Sequence, residues 1–84
     1  MYTGHRIIEN QIYQHETRTQ FSLNNDHIHV SPDQPSGYHL MKSLLPDVKH
    51  IYGPDGYTKF YVQDGHIFGP STQIPWLAAR REAI

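Results

Sequence analysis

Cysteine is absent from the 84-residue chain, which removes disulfides and thiolate zinc sites as sources of stability and fits a reducing compartment. Long apolar runs are missing too. The longest, Trp76-Leu77-Ala78-Ala79, is far short of the roughly 20 residues with which a helix crosses a bilayer. The opening Met1-Tyr2-Thr3-Gly4-His5-Arg6 lacks the basic-then-apolar layout of a signal peptide. These absences lead us to expect a cytoplasmic protein with no membrane attachment. An excess of one charge is also lacking, since seven Lys and Arg stand against eight Asp and Glu. That balance argues against a nucleic-acid partner, which calls for a concentrated basic face, and against polybasic attachment to lipid. Finally, the chain has no nucleophile elbow, phosphate-binding glycine loop or zinc-protease His-Glu motif. Nothing beside Ser22 or Ser71 would activate either hydroxyl, and an enzyme is not expected.

What is present is histidine, seven residues of it, and tyrosine, six. Histidine changes charge between roughly pH 5 and 8, so mild acid would turn the near-neutral chain positive. The length allows one domain, residues 1–84, with a modest core, for a chain this short buries only roughly 60–65% of its unfolded surface. Small domains of this kind often draw added stability from a metal or a second subunit.

The sequence also repeats. Displaced by thirty-nine positions, Ile12-to-Ser31 aligns without a gap on Ile51-to-Pro70. Ile12, Tyr13, Thr19, Phe21, His27 and Ile28 match Ile51, Tyr52, Thr58, Phe60, His66 and Ile67, where chance gives roughly one identity. Each copy reads as three short strands. In the second these are Val48 to Gly53, Tyr57 to Val62 and His66 to Gly69, parted by the turn signals Pro54-Asp55-Gly56 and Asp64-Gly65. In the first they are Ile7 to Gln14, Thr17 to Leu23 and His27 to Val30. A helix is expected after each copy. Ser36 would cap one carrying Tyr38, Met41, Leu44 and Leu45 on a single face until Pro46. Pro75 would open another over Trp76 to Ala83. The expected fold class is therefore α+β, with duplicated βββα units (residues 7–45 and 46–84), antiparallel sheet or sheets, and short helices packed on one side.

Strand alternation turns Phe60 and Val62 inward and presents Tyr57, Lys59 and Tyr61 outward. The first copy has Arg18, Gln20 and Ser22 at these places, so aromatic residues stand where ordinary polar surface would do. Tyrosine is enriched where proteins bind one another. The leading expectation is thus a non-enzymatic protein-interaction module, binding a protein partner or self-associating as a homodimer through Tyr57, Lys59 and Tyr61. A packing account competes with it, in which the tyrosines lie under the C-terminal helix against Trp76 or Leu77. Free strand edges offer a second docking route. The alternative function is a histidine-based metal-binding or pH-responsive module. His27 and His29 share one face of a strand, His66 repeats His27, and zinc would be the ion held. Phe68 stands where His29 would recur, so a symmetric site is not kept. No other cofactor is expected.

Overall fold

The computed structural model describes residues 1–31 and 33–76. Three tight turns set its plan. Glu9-Asn10, Asn25-Asp26 and Asp64-Gly65 each place two successive residues at positive φ. This is the type I′ geometry, whose twist matches that of the paired strands and which Asn, Asp and Gly tolerate best. The turns join β1 (Tyr2–Ile8) to β2 (Gln11–Gln14), β3 (Thr17–Asn24) to β4 (His27–Ser31), and β7 (Gly56–Gln63) to β8 (His66–Phe68). A longer connection joins β5 (Gln34–Lys42) to β6 (Val48–Gly53). Each strand pairs antiparallel with the next, and β8 pairs with β1, so the sheet closes into an eight-stranded barrel.

Closure needs bends, and four hydroxyls make them. Thr3 Oγ1 donates to the Ile67 carbonyl at 2.7 Å, Ser36 Oγ to Ile28 at 2.7 Å, Thr58 Oγ1 to Ile51 at 2.7 Å, and Thr19 Oγ1 to Ile12. Each hydroxyl also accepts the backbone N–H two residues on, from His5, Tyr38, Phe60 and Phe21 respectively. The residue between lies at positive φ in three cases: Gly4 (84°), Gly37 (86°) and Lys59 (71°). One side chain therefore replaces a ladder bond at a bulge, where the strand turns inward and its twist increases.

These bends reveal a repeat finer than the thirty-nine-residue one. Thr3-x-His5-x-Ile7, Thr19-x-Phe21-x-Leu23, Ser36-x-Tyr38-x-Leu40 and Thr58-x-Phe60-x-Val62 are four versions of one strand. Each follows a partner strand centred on an isoleucine: Ile67, Ile12, Ile28 or Ile51. All four isoleucines are at most 1% exposed. They form the middle of the barrel, with Ile7, Leu23, Leu40 and Val62 toward one end. Phe21, Tyr38 and Phe60 lie toward the other, where Ile74 and Trp76 plug the opening at 2% and 0% exposure. The Trp76 ring meets Phe21 edge-on at 6.0 Å and Tyr38 at 6.3 Å. An eight-stranded barrel is just wide enough for side chains to fill, and here they do.

The expected α+β class is overturned, because every element of the described residues is a strand. The segment expected as a helix after the first copy is β5, and Ser36 staples a bulge instead of capping a helix. Tyr38 and Leu40 point inward at strand spacing, while Met41, Leu44 and Leu45 are exposed at 49%, 103% and 62%. Their three-and-four spacing imitated an apolar helix face, but pairing with β4 on one side and β6 on the other decides the matter. The expected long strand over Ile7 to Gln14 is interrupted by the Glu9-Asn10 turn. The aligned segments, Ile12 to Ser31 and Ile51 to Pro70, span β2–β4 and β6–β8. The helix expected over Trp76 to Ala83 lies, apart from Trp76, outside the described residues. Among the described residues no helix is long and apolar enough to cross a membrane.

Packing at the plugged end leaves no room at Gly53 and Gly69, where a Cβ would overlap the Tyr38 and Phe60 rings. Gly69→Ala should therefore destabilise by about 1–3 kcal/mol through overpacking. Leu44→Ala should stay within about 0.5 kcal/mol of the parent. Urea denaturation of the two variants checks this, and equal midpoints would contradict the packing described.

Candidate functional site

With the lumen filled, chemistry can be offered only on the outer wall and at the two ends. The outer wall carries a run of rings. His27 faces His39 at 5.8 Å, and His39 stacks on Tyr52 at 6.0 Å with 22° between planes. Tyr52 meets Tyr57 at 5.4 Å, and Tyr57 meets His50 at 4.9 Å. A second group lies around the wall, where Tyr61 stacks on Phe68 at 5.5 Å and 13°, and Phe68 meets Tyr2 at 5.3 Å. Tyr2 in turn meets His66 edge-on at 5.5 Å. Register explains both groups, since His39 is opposite Tyr52, Tyr52 opposite Tyr57, and Tyr61 opposite Phe68. Directly opposed side chains on one face of a sheet are the pairs that touch.

Tyr57, Lys59 and Tyr61 all stand on this outer wall, while Phe60 and Val62 are buried. Tyr57 is 45% exposed and is no part of the Trp76 packing. Burial pushes its phenol pKa up, with the neighbouring Tyr52 and Tyr61 adding to the shift. Lys59 is the bulge residue of β7, so its exposed side chain is set by a backbone bend. Barrel closure leaves no free strand edge among the described residues, which removes the expected edge-docking route there.

The three histidines of the expected metal site stand apart. His27 and His29 are on β4 and His66 is on β8, on opposite sides of the closed ring. Among the described residues no three His, Cys, Asp or Glu side chains converge as metal ligands would. His29 Nδ1 is buried without a hydrogen-bond partner.

The open end is a shallow cavity of about 280 Å³ over Ile7, Leu23, Leu40 and Val62. Lys49 reaches past β5 to Asp26, with Nζ 3.1 and 3.3 Å from the two carboxylate oxygens. Both side chains are more than a third exposed, so solvent screening holds the pair to at most about 1 kcal/mol. Asp47 and Asp64 also stand at this rim.

The plugged end holds the residue that the sequence did not single out. His5 occupies the place that Phe21, Tyr38 and Phe60 fill in the other quarters, and it is 5% exposed with Nδ1 buried and unpartnered. Its signal was available only in the four-quarter alignment. Opposite it in the ladder is Gln14, followed by His15, whose backbone N–H donates to Gly4 O at 2.8 Å. The His15 ring lies against Gly4, where a Cβ would come within 3.0 Å of it. A cleft of about 460 Å³ opens beside these groups, walled on its far side by Thr72, Gln73 and Ile74. Comparison with protein-family models, with curated proteins and with solved structures finds no match.

Burial pulls the His5 pKa below its ordinary 6.5; the Thr3 backbone opposes the shift, and the His15 imidazole adds to it. The folded protein thus keeps His5 neutral where the unfolded chain protonates it. The unfolded state then binds more protons, so this contribution to stability is intact above about pH 6.5 and is lost as pH falls toward the depressed value. Urea midpoints of the parent should drop on acidification through this window more steeply than those of His5→Phe. Parallel pH profiles would show that His5 is not buried neutral.

Proposed function

We propose that the protein is a non-enzymatic protein-interaction module that binds through the wall formed by β6, β7 and β8, with Tyr57 and Tyr61 as anchors and Lys59 between them. The observation that carries this reading is the ring run itself. Tyr52, Tyr57 and His50 form one patch, Tyr61, Phe68 and Tyr2 form another, and the intervening strand β7 contributes to both. Half-exposed tyrosines held by their neighbours offer apolar area and a polar tip at little entropic cost. A filled lumen and a wall with no free edge leave side-chain recognition as the means of docking. The partner is a second protein or a second copy of the chain.

The histidine alternative keeps support in one form only. His39 and His50 lie within the ring patch, against Tyr52 and Tyr57, so a charge on either imidazole alters the face itself. Nothing comparable supports a zinc site at His27, His29 and His66.

Tyr57→Ser combined with Tyr61→Ser separates recognition from packing. The double variant should stay folded, losing about 1 kcal/mol from the broken ring pairs, and should lose the partner or self-association that the parent displays. Sedimentation of the purified proteins and affinity capture from lysate, read beside urea melts, check this. A parent that stays monomeric and captures nothing, or a folded variant that captures the same partner, would contradict the proposal.

A further inference from the structure

The charges of this chain are sorted by element. Among the described residues, each of the seven connections between strands holds one acidic residue, from Glu9 in the first to Asp64 in the last. No strand holds any. Every Lys and Arg of the described residues lies in a strand, as do six of the seven histidines. Turns favour aspartate for reasons of their own geometry, but that does not place bases on the wall. Lysines often guard free strand edges, and the described residues close into a ring without one. The outcome is a wall free of carboxylates between two acidic rims. Along β5 to β8 its rings stand among His39, His50, Lys59 and His66.

Lys59 supplies a second, independent observation. Its φ of 71° is left-handed, a conformation that costs energy for a residue bearing a Cβ. At two of the equivalent bends the chain uses Gly4 and Gly37, which carry no such cost. Lys59 is exposed and makes no ion pair among the described residues, so the fold gains none in return. Side chains kept in unfavourable backbone conformations cluster where proteins bind or react.

We propose that the partner of the β6–β8 wall is an acidic segment of another protein, with a carboxylate on the Lys59 ammonium and its neighbours against Tyr57 and Tyr61. The inference rests on the interaction reading above and adds the chemistry of the partner. Opposite charge draws such a segment to the wall, and the acidic rims reject wrong registers. Tyrosine hydroxyls and imidazole N–H groups can donate to further carboxylates. A nucleic-acid strand fits less well. On β6–β8 it would find one unpaired lysine, and its phosphates would meet Asp55 at one rim and Asp47 and Asp64 at the other.

Synthetic hexaglutamate, hexaglutamine and a single-stranded oligothymidylate are the probes, titrated into the whole chain at low salt and followed by NMR. Hexaglutamate should shift the Tyr57, Lys59 and Tyr61 signals saturably, and added salt should weaken its binding. Hexaglutamine should not bind. Lys59→Gly relieves the left-handed residue, so its urea midpoint should equal or exceed the parent's. Its affinity for hexaglutamate should nevertheless fall about fivefold. Arg18→Gln, which removes the same charge from β3 across the ring, should bind as the parent does. Absence of saturable shifts, binding of hexaglutamine, tighter binding of oligothymidylate, an equal loss in Arg18→Gln, or a Lys59→Gly that unfolds below the parent would each overturn the acidic partner. Salt-sensitive self-association that Lys59→Gly abolishes would give the wall to a second copy and overturn it too. If Tyr57→Ser with Tyr61→Ser loses a protein that Lys59→Gly retains, the interaction reading stands and this inference falls.

Discussion

A hydroxyl that donates to one strand and accepts from its own is the interaction on which the rest of this structure depends. Thr3, Thr19, Ser36 and Thr58 each hold an isoleucine carbonyl across the ladder and the amide two residues along the chain. Without such a bridge, the bulge would leave a buried carbonyl and a buried N–H unpaired. With it, the strand can bend, and four bends turn a flat meander into a closed ring. Closure fixes the radius, the radius fixes what fits inside, and four isoleucines with a layer on either side fill it.

The filled interior determines where recognition can occur. Large barrels bind ligands in the lumen, but this one has given its lumen to packing. Surface chemistry therefore falls to the wall, where register brings Tyr52 against Tyr57 and Tyr61 against Phe68. One quarter departs in its packing, where the His5 imidazole stands in place of a ring.

Much of the hairpin structure was legible. Asp64-Gly65 and Pro54-Asp55-Gly56 mark real turns, and the period-two alternation in β7 correctly separates Phe60 and Val62 from Tyr57 and Tyr61. The thirty-nine-residue match is visible because β2–β4 and β6–β8 have equal spacings. The finer repeat is not, because its spacings are unequal. Five residues separate Ile7 from Ile12, Leu23 from Ile28 and Val62 from Ile67, but eleven separate Leu40 from Ile51. That insertion carries Leu44 and Leu45 into solvent, and their apolar character beside Tyr38 and Met41 read as a helix face. Of the candidate site, the tyrosines were legible from alternation within one strand. His5 was not, because its oddity shows only against Phe21, Tyr38 and Phe60.

The bond from Thr3 to the Ile67 carbonyl joins residues sixty-four apart in the chain. Every hairpin here joins strands adjacent in sequence, but the seam joins β1 to β8. Loop closure of that length is slow compared with a hairpin. With that seam unpaired, the same meander would be an open sheet with two free edges. The edge-free wall thus depends on the contact of longest sequence separation among the strand pairings. A change that weakens this seam would expose the two edges whose pairing with other chains the closed ring prevents.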